Sequence, residues 1–135
     1  MSYQLNFTDK HRYETTEVGI TIPFSLKAGD IIVEGYGKVD TGAEFCLFQR
    51  EHADEMGLDV ESGRAIRLST LSGSLEAFGH RLLIQTFDLA FESTLYFAGF
   101  YGLNRNILGR KGWLEHLEFG LTMRSNTIYL SMTKE

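Results

Sequence analysis

The sequence is short of four things: it holds one proline, one cysteine, no cluster of lysine and arginine, and no apolar run of bilayer-spanning length. Each shortage excludes something. Cys46 stands alone, so the chain can form no internal disulfide and no cysteine-rich zinc site. Thirteen basic side chains against eighteen acidic ones leave a net charge of −5. A mildly acidic chain without a basic patch does not suit sequence-independent nucleic-acid binding. The N-terminal stretch MSYQLNFTDKHRYETTE is polar and lacks an apolar signal core, so neither secretion nor a membrane partner is expected. The expected setting is cytoplasmic. His11, His52, His80 and His116 lack ligand spacing and are expected at the surface or at edges. No metal or other cofactor is called for.

What is present is a strand-and-turn grammar. At 135 residues, with 43% hydrophobic side chains and 14 glycines, the chain suits one folded, turn-rich domain. A polar arm over residues 1–17 is expected to precede a single domain over residues 18–135. Within the arm Tyr3, Leu5 and Phe7 alternate, which allows a short strand. From Val18 to Leu26 apolar and polar residues alternate as in a half-buried strand, with Pro23 favouring a sheet edge. Ile31 to Val39 follows after a turn, with Gly35 and Gly37 marking bulges or close approaches. Phe45 to Phe48 reads as strand, and Gln49 to Met56 as a short helix stopped at Gly57. Ile66 to Leu71 and Leu75 to His80 form a hairpin around a small tip, Ser72-Gly73-Ser74. Leu82 to Phe87 and Ala90 to Gly99 are further strands. Arg110 to Glu118 is expected to be a second short helix with Trp113 and Leu117 on its inner face. Leu121 to Met123 and Thr127 to Leu130 close the chain as a hairpin. The fold class is mostly β, a barrel with one or two short helices.

Three stretches carry the functional signal: VDTGAEF at residues 39–45, LSTLSGSLEAFGH at 68–80 and NILGRKGWLEHLEFGL at 106–121. Asp-Thr-Gly alone has an ordinary reading, a turn in which Asp40 hydrogen-bonds its own backbone. The order of the three is more specific than any one of them. From about Ile20 to Leu130 the chain resembles the retropepsins, the single-lobe aspartic proteases of retroviral type, and particularly their bacterial cellular relatives.

The resemblance implies a closed acid-protease barrel, one lobe per chain, and an aspartic endopeptidase that needs no cofactor. It makes Asp40, Thr41 and Gly42 the catalytic loop. Leu71, Ser72, Gly73, Ser74 and Leu75 become a flap over an extended peptide or protein substrate, with Leu71, Leu75 and Phe78 as apolar pocket walls. Ala43, Glu44, Ile107, Leu108, Gly109 and Arg110 become support beneath the loop, with Arg110 paired to Glu44. Ala43 stands where pepsin-like lobes commonly carry a hydroxyl, which implies a weakly acidic rate optimum rather than a gastric one. Only one Asp-Thr-Gly exists in the chain, and two carboxyls are needed to share one proton. An active enzyme is therefore expected to be a homodimer. Retroviral members carry an arginine before the proline of the first barrel strand; Ile22 stands there here, so the dimer contacts need not copy theirs. Two other classes compete: an inactive peptide-binding or dimerisation module on the same barrel, and a small β-barrel ligand binder. The second leaves the Asp-Thr-Gly and Ile-Leu-Gly-Arg pairing unexplained.

Other motifs read blandly. Cys46 between Phe45 and Leu47 is expected to be a buried small apolar residue, not a nucleophile. Gly35-Tyr36-Gly37 does not continue as a dinucleotide fingerprint.

Overall fold

Alternation of apolar and polar side chains dictates strands, and strands are what form. A computed structural model describes residues 1–16 and 19–134. In chain order the strands are β1 (Asp9–Arg12), β2 (Glu14–Thr16), β3 (Gly19–Ala28), β4 (Ile31–Val39), β5 (Leu47–Phe48), β6 (Arg64–Thr70), β7 (Gly73–Thr86), β8 (Leu89–Ala98), β9 (Asn106–Leu108), β10 (Leu117–Thr122) and β11 (Thr127–Met132), with one short helix, α1 (Arg50–Glu55). Val18, the expected first residue of the run to Leu26, lies outside the described residues.

Six strands close a ring. The large sheet runs β2-β3-β4-β9-β5-β8-β7-β6, and β3 pairs back onto β7 through Ser25, Leu26 and Lys27. A second sheet, β1-β11-β10, joins the N-terminal strand to the C-terminal hairpin. Pro23 sits where the ladder can spare a donor. On the side of β3 away from β4, pairing with β2 ends at Thr21 and pairing with β7 starts at Ser25. The register of β3 on β4 runs unbroken through Gly35 and Gly37, so neither is a bulge. They are close approaches: a Cβ on Gly37 would lie 2.9 Å from Leu108 Cγ.

Ile22, Phe24, Leu26, Phe48, Leu95, Phe97, Leu108 and Trp113 fill the barrel. Fully burying each such side chain contributes about 1.5–3 kcal/mol. A smaller cluster of Leu47, Ala77, Tyr96 and Ala98 lies apart, with Phe45, Leu68, Leu75 and Ile107 half-buried against it. This second cluster matters for function, because it leaves an apolar surface incompletely covered.

Several expectations need correction. The arm strand starts at Asp9, not within Tyr3 to Phe7. The Ser131 hydroxyl takes the Thr8 N–H and donates to the Asn6 carbonyl, so a side chain replaces the ladder there. The fifth strand is only Leu47–Phe48, and Phe45 makes an isolated bridge to Lys111 instead. The expected break near Arg81 is absent, and β7 is one strand of 14 residues. The loop of the β6–β7 hairpin is Leu71-Ser72 rather than Ser72-Gly73-Ser74, because Thr70 pairs with Gly73 and Ser69 with Ser74. The closing hairpin starts at Leu117, not Leu121.

The helix expected over Arg110 to Glu118 is reduced to a single 3-10 turn at Leu114–His116. The backbone N–H groups of Arg110 and Lys111 are committed to the carbonyls of Ala43 and Glu44, at 2.9 and 2.7 Å. Gly112 then takes φ +104°, outside any right-handed helix. Trp113 is nonetheless buried, its indole N–H donating to Thr86 Oγ1 at 3.3 Å. Among the described residues no helix is long and apolar enough to cross a membrane.

Candidate active site

Asp40 stands at the end of β4, where parallel pairing with β9 stops. Gly37, Lys38 and Val39 pair with Asn106, Ile107 and Leu108, and the Asp40 N–H continues the ladder to the Leu108 carbonyl at 3.0 Å. The chain then turns. The Gly42 N–H donates to Asp40 Oδ1 at 3.0 Å, and the Ala43 N–H donates to the Asp40 carbonyl at 3.2 Å. The ordinary Asp turn is thus present, and it occupies one carboxylate oxygen. Among the described residues the other oxygen and the Thr41 hydroxyl have no hydrogen-bond partner within the chain. Thr41 and Gly42 are exposed, and Asp40 is half-buried.

The segment 107–111 underpins this loop. A Cβ on Gly109 would lie 2.3 Å from the Phe45 carbonyl oxygen and 2.9 Å from that of Ala43. Only glycine lets the two backbones cross at this distance. Leu108 is fully buried, while Ile107 is half-buried in the second cluster. Cys46 closes the underside: the Gly109 N–H donates to its Sγ at 3.3 Å, and burial pushes the thiol up to about 12. At that value the thiolate is scarce and the residue is a packing group.

A groove of about 400 Å³ opens beside the loop, bounded by Gly42 to Phe45 and by the β6–β7 hairpin. Its apolar walls are Phe45, Leu47, Leu68, Leu75 and Ile107. Among the described residues no group of three or more His, Cys, Asp or Glu side chains is placed to hold a metal ion.

A retropepsin-like aspartic protease from Rickettsia conorii matches this chain over 96% of both chains, with a TM-score of 0.60 and 18% sequence identity. The fold is retropepsin-like. At this identity the likeness is one of fold. EIAV protease in complex with the inhibitor HBY-793 is also similar, at 17% identity, with 82% of this chain and 88% of that chain covered and a TM-score of 0.46. No family model matches the sequence, and no curated protein does either.

The hairpin β6–β7 borders the groove, and the residues expected of it as a flap divide. Leu75 lines the groove, but Leu71 is fully exposed at the tip and Phe78 is buried in the barrel core. The apolar walls expected from Leu71 and Phe78 are supplied by Leu68 and Ile107 instead. Gly73 follows the tip at φ +131°, and the Thr70 hydroxyl donates to its carbonyl at 2.9 Å.

The expected Arg110–Glu44 pair does not form. Glu44 pairs with Lys111, Nζ to Oε2 at 2.9 Å, and both side chains are exposed. The reason is register. Lys111 N–H binds the Glu44 carbonyl, so these two residues lie side by side. The Lys111 hydrogen bond and charge hold the Glu44 carboxyl below its ordinary range. Arg110 instead turns its Nε–H to the Ala43 carbonyl at 3.4 Å. Lys111, Arg67 and Leu68 were not singled out by the sequence. Their signal was pairing register, which one sequence does not display.

The four histidines are half-buried rather than free at the surface. His11 stacks on Phe87 at 3.6 Å, His116 lies 4.3 Å from Phe91, and His80 Nε2 is 2.9 Å from the Val60 carbonyl. His52 packs beside Phe24 and Asn106, and burial lowers its pKa.

Proposed function

We propose that the chain is an aspartic-type endopeptidase acting as a homodimer, with Asp40 of each of two chains forming the catalytic pair. One observation carries this reading: a carboxylate on a loop fixed by backbone bonds from both flanking segments, beside an apolar groove roofed by a hairpin. A water held between the two carboxyls loses a proton to the ionised one and attacks the scissile carbonyl carbon. The protonated carboxyl donates to the carbonyl oxygen, giving a tetrahedral diol. Collapse returns a proton to the leaving amine, with no covalent intermediate. Thr41, exposed and without an intrachain partner among the described residues, is positioned to brace its twin across the twofold axis. The Leu71-Ser72 tip closes over an extended peptide and limits water. A cytoplasmic setting suits a chain whose single cysteine is unpaired and buried.

The test is a peptide-library cleavage assay on wild type and Asp40→Asn. The amide keeps the shape but can serve neither as base nor as shared acid, so cleavage should fall by at least roughly a hundredfold. Circular dichroism and sedimentation should be unchanged. Wild-type rates in the Asn variant would end this reading. Peptide binding without cleavage by the wild type would favour the non-catalytic module.

A further inference from the structure

The groove carries more positive charge than an acidic protein would place there by default. Arg67 on β6 and Arg110 after β9 both line it. Neither forms an ion pair among the described residues. Glu44, the groove's own carboxylate, is held by Lys111 at 2.9 Å. Glu76 faces Arg67 in the β6–β7 register but makes no ion pair with it and does not line the groove. Arg67 reaches only Ser74 Oγ, at 3.4 Å, and Arg110 only the Ala43 carbonyl, through Nε. Most of each guanidinium's donors are therefore unspent. The same groove presents the apolar surface of Leu68, Leu75 and Ile107.

We infer that Arg67 and Arg110 form a subsite for an acidic side chain of the bound peptide, next to an apolar subsite on Leu68, Leu75 and Ile107. The inference rests on the groove being the peptide site proposed above. A guanidinium stays charged at every relevant pH and presents a planar fork that matches a carboxylate. In an extended peptide, side chains two positions apart share one face, about 6.5–7 Å from each other. The favoured ligand is thus an extended segment with Glu or Asp two residues from a large apolar side chain. The chain's overall charge of −5 opposes acidic peptides in general, so the preference must be local.

The experiment uses full-length Asp40→Asn protein, so that binding is read without cleavage. Fluorescent peptides carry a central Leu-Phe and either Glu, Gln or Lys two residues to one side or the other. The Glu peptide should bind about five- to tenfold more tightly than the Gln peptide at one of the two positions, and Lys should bind most weakly. The Glu/Gln ratio should shrink in high salt and fall to about one in Arg67→Gln and Arg110→Gln. Arg110→Lys should keep part of it. Arg67 is on an exposed strand, so its variant decides the matter should loss of the Arg110–Ala43 bond disturb the loop. Equal binding of Glu and Gln peptides to the Asp40→Asn protein would overturn the subsite while leaving the groove intact. No binding of any peptide would overturn the peptide-groove reading itself.

Discussion

Ala43 donates its backbone N–H to the Asp40 carbonyl but has no side-chain donor to offer the carboxylate, whose one intrachain bond comes from the Gly42 N–H. Adding a hydroxyl there tests the chemistry directly. In Ala43→Ser a new donor would favour the ionised carboxylate, and the acidic limb of the peptidase rate profile should move to lower pH. In the proposed dyad the limb belongs to the pair, not to either residue. An unmoved limb would remove position 43 from the account.

His52 supplies a stability test at the same scale. Burial lowers its pKa from 6.5, with Glu55 and Glu51 opposing. The folded state binds this proton less readily than the unfolded chain. His52 thus favours folding above about pH 6.5 and loses that contribution as pH falls through the lowered folded value. Denaturation at pH 7 and pH 5 should show wild type losing more stability than His52→Gln, by less than about 1 kcal/mol because the ring is half-exposed. An equal loss in both proteins would refute the effect. Sequence reading singled out Asp40, Thr41 and Gly42 as candidates because they sit in one short motif. It missed the His52 environment because the surrounding Phe24 and Asn106 come from distant elements.

At the element scale segment 107–111 crosses under the Asp40 loop with no room for a side chain at Gly109. Gly109→Ala would place a methyl 2.3 Å from a backbone oxygen, and backbone atoms have no rotamer to yield. The substitution should cost about 1–3 kcal/mol and shift residues 43–45 together with the groove wall. Urea midpoints and peptide affinity, measured together, check it; a variant as stable as wild type with unchanged affinity would mean the crossing is looser than described. Strand existence was legible because alternation has a short period. The second helix was misread because Trp113 and Leu117 have helical spacing, while Gly112, at φ +104° where Arg110 and Lys111 pair with the loop, breaks any right-handed helix. Local pattern lost to tertiary pairing. The Glu44 partner was misassigned for the same reason, since pairing register put Lys111 beside it.

At the scale of the whole molecule, the proposed carboxylate pair needs a second chain. Each chain supplies one Asp-Thr-Gly, and Glu44, the carboxylate that lines the groove, is tied to Lys111. Ile22 is fully buried in the barrel core and cannot reach another chain. The terminal strands β1, β10 and β11 already pair within one chain. The dimer proposed above needs no strand exchange, and we place its contact at the exposed loop of Thr41 and Gly42, which would bring the two Asp40 side chains to the twofold axis. Activity should then follow the dimer population, so specific activity rises with protein concentration and collapses on dilution below the dimer dissociation constant. Mixing wild type with excess Asp40→Asn chains sharpens the test. If exchange is complete, only dimers with two wild-type chains cleave, and activity falls below that of the wild-type chains alone at the same concentration. A monomer by sedimentation that cleaves at full rate, unaffected by the Asn chains, would show that one chain suffices and that the second carboxyl lies elsewhere.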